Sequence, residues 1–305
     1  MTSLLRLTLQ TAIISENPEE MTTVAKASPP SFSALAREND VVTVDVGPEN
    51  QKFHVYTKLL TSYSDYFAKT LSGDWKEAQD RTVQLPDIEP RVFELFIDWL
   101  YTQKLPTKRV EWVALEGDLA NLQDDCAEHN RLIDMLQIKT YIFADRFLIP
   151  GFRCALHNSM ADVLVRVGNP PYYDMIIYAF DNLPPKSKML SLLVRMHCEF
   201  WNPALDKDFK GELRRRAELP YEFLMRSMIC YGKRKNNEDL SLTNVRSCHD
   251  HACDEDRQAC EGCMGAEEEE EDYFLGVEEE DDVEDGKEGE PQVVEKAWSD
   301  AEGPV

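Results

Sequence analysis

Residues 53 to 102 read FHVYTKLLTSYSDYFAKTLSGDWKEAQDRTVQLPDIEPRVFELFIDWLYT, and the spacing of their apolar positions changes three times. At the start, Phe53 and Val55 alternate with polar neighbours, the period of a half-buried strand. Just upstream, Val42, Val44 and Val46 alternate with Val41, Thr43 and Asp45, and Gly47-Pro48-Glu49-Asn50 supplies turn chemistry between the two runs. Two antiparallel strands joined as a hairpin follow. From Thr57 the period lengthens: Leu59, Leu60, Tyr63, Phe67 and Leu71 recur at three- and four-residue steps, predicting one helix over 57–71 that ends near Gly73. The run TVQL predicts a short strand near 83–85, closed by Pro86-Asp87. Val92, Phe93, Phe96, Ile97, Leu100 and Tyr101 then form a second helical stripe over 90–101, with Asp87 and Pro90 as start signals. The expected core includes Phe53, Leu60, Phe67, Phe96 and Leu100.

Strand, strand, helix, strand, helix in this order carries four local signatures. They are Phe53-x-Val55 in the second strand, Ser64-x-x-Phe67 in the helix, Leu85-Pro86-Asp87 before the last helix, and Trp99-Leu100-Tyr101-Thr102 closing it. Together they resemble the BTB/POZ family, and most closely its large fungal branch, over roughly residues 39–165. The later runs LPPKSKMLSLLVRMHCEFW (183–201) and ELPYEFLMRSM (218–228) resemble the helical extension of such fungal proteins. The resemblance implies an α+β fold, a small β-sheet flanked by helices, followed by an all-α extension.

It also implies protein partners. BTB domains that serve as substrate adaptors of cullin-type ubiquitin ligases resemble one another in an apolar-x-Glu motif after the helix that here ends near Leu71. Trp75-Lys76-Glu77 stands at that place, making Trp75 and Glu77 the candidate partner-binding residues. A large aromatic anchor beside an orienting carboxylate is the pattern of an interface hot spot. The alternative is a dimerising scaffold, or a transcription-associated protein without ligase attachment, in which Trp75 packs a helix-to-strand connection. One departure concerns a polar pocket: the family's His-Lys after the F-x-V strand is here Tyr56-Thr57, while Asp40 stands where an Asp is expected near the domain start. His54 shares a strand face with Tyr56 and reads as an exposed side chain.

Composition divides the chain. With 57 Asp and Glu against 33 Lys and Arg, the net charge is −24, and about 16 of those negative charges lie beyond residue 263 in runs such as EEEEED and EEEDDVED, which oppose compaction. Residues 264–305 are therefore expected to be a disordered acidic tail. Residues 1–38 lack a clear pattern and are expected to be disordered as well; LLRLTLQTAII is too short and too interrupted for a membrane span, and Met21 is an alternative start. With no long apolar run, the chain reads as soluble, in the cytoplasm or nucleus. Cys126, Cys154, Cys198 and Cys230 are scattered through helical segments as reduced thiols are.

Residues 104–131 form a long charged connection, expected as a loop with one short helix. Helical patterning resumes at Leu132, breaks at Pro150-Gly151 and continues to Asn169-Pro170-Pro171. Further helices are expected over about 172–182, 186–200 and 219–231, the last opened by Pro220 at a first-turn position. The expected division is thus a domain over 39–165, a helical extension over 166–235, a Cys/His-rich linker over 236–263 and the tail.

The linker sequence SCHDHACDEDRQACEGC (247–263) concentrates Cys248, His249, His251, Cys253, Cys260 and Cys263. Thiolate and imidazole are the donors zinc prefers, but the C-x4-C and C-x6-C spacings fit no standard finger, so a reduced linker is preferred over a zinc site or a redox-active C-x-x-C. No phosphate loop, H-E-x-x-H or G-x-S-x-G occurs, and His129, His157 and His197 stand apart from any nucleophile frame, so no enzyme is expected. Arg214-Arg215-Arg216 and Lys233-Arg234-Lys235 lack interleaved aromatics, and the acidic balance disfavours direct nucleic-acid binding.

Overall fold

Val41–Val46 (β1) is the central strand of a three-stranded sheet in the order β2-β1-β3. The computed structural model describes residues 30–73, 75–108, 111–112, 126–204, 212–235 and 249–251. β1 pairs antiparallel with β2 (Gln51–Tyr56), Val41 opposite Tyr56 and Val46 opposite Gln51. On its other edge it pairs parallel with β3 (Thr82–Leu85). The hairpin turn depends on Gly47, whose φ of +75° is a backbone conformation that side chains resist. A Cβ there would also press on the Pro90 ring at 3.3 Å. Val42, Val44, Val46, Val55, Val83 and Leu85 are buried, as alternation demands. Phe53 is only half-buried, edge-on to Phe93 with ring centroids 5.1 Å apart, because β2 is an edge strand and covers less of the core.

The single helix expected over 57–71 is two. Thr57–Tyr63 (α2) and Asp65–Thr70 (α3) are separated by Ser64, whose backbone is extended at φ −131°, ψ 116°. Ser64 is fully buried, and its Oγ accepts the Phe67 N–H at 3.1 Å as the N-cap of α3 while donating to the Phe147 carbonyl at 2.6 Å. A serine reaching its own backbone competes with helix continuation, and here a carbonyl 83 residues away secures the break. That turns α3 so that Phe67 lies flat between Phe96 (6.5 Å, 13°) and Phe147 (5.6 Å, 6°).

The core is built on α5 (Pro90–Thr102), which Pro90 opens at its first turn and which buries Val92, Phe93, Leu95, Phe96, Trp99 and Leu100. Its bounds agree with the expected 90–101 to within a residue; of the expected stripe, Ile97 and Tyr101 are only half-buried, while Leu95 and Trp99 are buried in addition. Its aromatic face meets Phe143 of α6 (Cys126–Arg146) and Phe152 of α7 (Pro150–Val167). A short α4 (Lys76–Asp80) lies between α3 and β3. After α7 come α8 (Tyr173–Asn182), α9 (Lys188–Phe200), α10 (Glu212–Arg216) and α11 (Tyr221–Lys235). The mixed α+β architecture expected from the sequence, a small sheet flanked by helices with a helical extension, is what the chain adopts.

Several expected boundaries move. The first 38 residues are not uniformly unpatterned: Phe32–Glu38 form α1, capped by Ser31 and closed by Asn39 in the left-handed region, with Leu35 buried and Phe32 stacked on Tyr101 at 6.0 Å. One short helix with a single buried leucine leaves almost no period to detect. The connection expected over 104–131 ends by Cys126, where α6 begins, and Trp112 is buried with its Nε1 donating to the Pro106 carbonyl at 3.0 Å. A domain boundary at 165 would cut α7 two residues before its end. One continuous core instead runs from Leu35 to Met196, and a second cluster of Tyr173, Ile176, Val194, Cys198, Phe223 and Cys230 seats α11 against α8 and α9. The described residues all fall within one compact unit. The expected acidic tail, 264–305, lies outside the described residues.

Candidate functional site

Trp75 occupies the corner between α3 and β3. It is the N-cap of α4, where its extended backbone (φ −69°, ψ 150°) ends the turn and its carbonyl accepts the Ala78 and Gln79 N–H groups at 3.1 Å. The indole does no capping and stands 66% exposed. Glu77 follows in the first turn, where a carboxylate complements the helix dipole, and is half-buried. With two-thirds of its surface in water, Trp75 contributes little packing to this connection.

Asp40 and Thr57, the positions compared with a polar pocket, are joined by a residue that sequence reading missed. Arg81, in the left-handed region at φ 50°, forms an ion pair with Asp40, donates to Thr57 Oγ1 at 3.1 Å, and reaches the Val41 carbonyl through Nε (3.3 Å) and Nη2 (3.2 Å). The guanidinium thus ties the start of β1 to the start of α2. His54 is exposed on β2, its Nδ1 3.3 Å from Thr43 Oγ1, in keeping with its reading as a surface strand side chain.

Of the six candidate metal ligands, Cys248, Cys253, Cys260 and Cys263 lie outside the described residues. His249 and His251 are described, and they flank an unexpected feature: Asp250 is 3% exposed, not a solvated linker residue. Its carboxylate meets Arg153 Nη2 at 3.1 Å and Lys188 Nζ at 3.2 Å. Burial raises the Asp250 carboxyl, but the charges of Arg153 and Lys188 outweigh it and hold the group below its ordinary value. Among the described residues no cluster of three or more metal-ligand side chains forms.

The remaining singled-out residues are structural. His157 is buried against Tyr141 (6.1 Å), and His197 among Tyr173, Trp201 and Phe223. Arg215 reaches Asp174 at 2.8 Å and Glu218 at 2.7 Å, and Arg234 pairs with Glu199 and donates to the Cys198 carbonyl at 2.8 Å. Each of the two basic clusters thus spends its central arginine on acidic neighbours. Cys154, Cys198 and Cys230 are buried free thiols. No described helix is long and apolar enough to cross a membrane.

Residues 32–141 match the BTB/POZ domain from α1 into α6. These residues are a BTB/POZ domain. Such a domain is a protein-interaction module. The chain is 30% identical over 74 residues to Kelch-like protein 26 of Danio rerio, covering 24% of this chain and 12% of that protein. It is 27% identical over 89 residues to Kelch repeat and BTB domain-containing protein 4 of Homo sapiens, covering 28% of this chain and 17% of that protein. The chain thus spans less than a fifth of the length of these relatives. The BTB domain begins seven residues before the expected start at 39, because α1 belongs to it.

Proposed function

We propose that this BTB domain is a substrate adaptor that attaches to a cullin-type ubiquitin ligase through Trp75 and Glu77. The carrying observation is the exposure of Trp75 at 66% in the corner between α3 and β3. Leaving a large aromatic in water forgoes stabilisation of roughly 1.5–3 kcal/mol, the scale of burying a large apolar side chain. A partner groove recovers it, and Glu77 two positions on supplies the orienting charge. The resemblance of Trp75-Lys76-Glu77 to the apolar-x-Glu motif of ligase adaptors supports the same reading.

The test is the double variant Trp75→Ala, Glu77→Ala. Because the indole packs little against its own domain, the circular dichroism spectrum, melting temperature and oligomeric mass should stay unchanged. Cullin co-purification from the native source should fall by about thirtyfold in affinity, equivalent to roughly 2 kcal/mol. Unaltered protein that captures no cullin, or a variant that captures it undiminished, would leave a dimerising scaffold in its place.

A further inference from the structure

Asp250 is held as a bound peptide is held. Besides the two cations on its carboxylate, the Cys154 thiol donates to Oδ2 at 3.5 Å. Its backbone is read separately: Asn158 Oδ1 accepts the Asp250 N–H at 2.7 Å and Asn158 Nδ2 donates to its carbonyl at 3.0 Å. One residue before, His249 Nε2 lies 3.1 Å from Asp162 Oδ1. Arg153, Cys154, Asn158 and Asp162 all project from α7, and Lys188 opens α9. A side-chain amide that bonds both backbone groups of one residue recognises an extended chain, while the cations recognise its acid.

The receiving side is also preformed. Arg153 is fixed by Asp145 of α6 at 3.3 Å, and the Arg153 and Lys188 side chains keep 32% and 49% of their surface in solvent. The cations therefore stay hydrated when the segment leaves, so departure strands no buried charge on α7 or α9.

We propose that α7 and the start of α9 form a peptide-binding site for an extended segment bearing an aspartate, filled in this chain by its own His249-Asp250-His251 as an internal ligand that a partner's aspartate-bearing segment displaces. Proline is excluded at the aspartate position because Asn158 needs its N–H. Glutamate is one methylene longer and cannot keep both the Asn158 bonds and the cation contacts. The site is independent of Trp75 and Glu77.

The probe is a fluorescein-labelled peptide of residues 246–254 carrying Cys248→Ser and Cys253→Ser, titrated against the full chain. With Asp250→Ala in the chain the site is vacated, and the peptide should bind at least about tenfold more tightly than to the unaltered chain, where the internal ligand occupies the competent state. Adding Asn158→Ala, or Asp250→Glu within the peptide, should abolish binding. A second readout is alkylation of Cys154 by iodoacetamide, mapped by mass spectrometry. Burial and the neighbouring Asp250 charge push this thiol up to about 12 in the closed chain. Alkylation should accelerate in the Asp250→Ala chain and slow again when peptide is added. If Asp250→Ala unfolds the chain, Asn158→Ala alone is read by Cys154 alkylation, where faster labelling supports the site. A folded variant with unchanged Cys154 labelling, or peptide binding equal in both chains, overturns it.

Discussion

Single residues decide the geometry here through polar atoms that no hydrophobic pattern records. Ser64 satisfies a helix N–H and a distant carbonyl from one buried hydroxyl. Replacing it with alanine should cost about 1–3 kcal/mol by stranding the Phe147 carbonyl and uncapping α3, measurable as a lowered denaturant midpoint. Phe67, stacked between two rings and fully buried, should lose about 3–5 kcal/mol on truncation to alanine, and a near-neutral melt would refute its place in the core. Asp250 gives a pH signature. Its folded-state carboxyl lies below its ordinary value, so its contribution is present above the unfolded pKa, roughly 4, and disappears as pH falls through the lower folded value. The melting-temperature gap between the unaltered chain and Asp250→Asn should therefore be full at pH 6 and close below about pH 4. A gap that persists unchanged to pH 3 would show that the carboxylate charge is not what holds the segment. Phe67 was legible from its spacing; the roles of Ser64, Arg81 and Asp250 were not, because each depends on partners distant in sequence.

At the scale of elements, periodicity located α5 well, ran α2 and α3 together into one helix, and read the short pieces poorly. α5 buries six side chains along 13 residues, so its period repeats enough to be read. α1, α4 and α10 have seven residues or fewer and, among their described side chains, bury one or none, and a single turn or two carries no measurable period. α1 nonetheless contributes: Leu35 is buried, and Lys58 Nζ lies 2.6 Å from Glu38. Leu35→Ala should lower stability by about 2–5 kcal/mol, whereas the exposed Lys58–Glu38 pair adds little, under roughly 1 kcal/mol. A calorimetric scan that finds Leu35→Ala neutral would detach α1 from the domain. For α4, the sequence marked Trp75 and Glu77 as a motif, and the structure added the exposure of Trp75 on which the proposed anchor role rests.

Across the whole molecule, charge and hydrophobicity act on different parts. Between Leu35 and Met196 one core is shared by the BTB/POZ domain and the helices after it, so the two should melt in a single transition. About two-thirds of the net negative charge lies beyond residue 263. Removing residues 264–305 should leave the melting temperature nearly unchanged, since self-repelling carboxylates oppose compaction; a clear loss of stability on truncation would show that the tail contributes to the fold. What the sequence by itself determined was the order of strands and helices, the apolar faces they bury and the likeness to a BTB/POZ domain, because these follow from local spacing along the chain. Only the tertiary structure decided where the 57–71 helix breaks, that Trp75 faces water, that Arg81 ties Asp40 to Thr57, and that Asp250 docks on α7 and α9. Each of those depends on which distant atoms meet, and a hydrogen bond or ion pair between residues tens of positions apart leaves no period in the sequence.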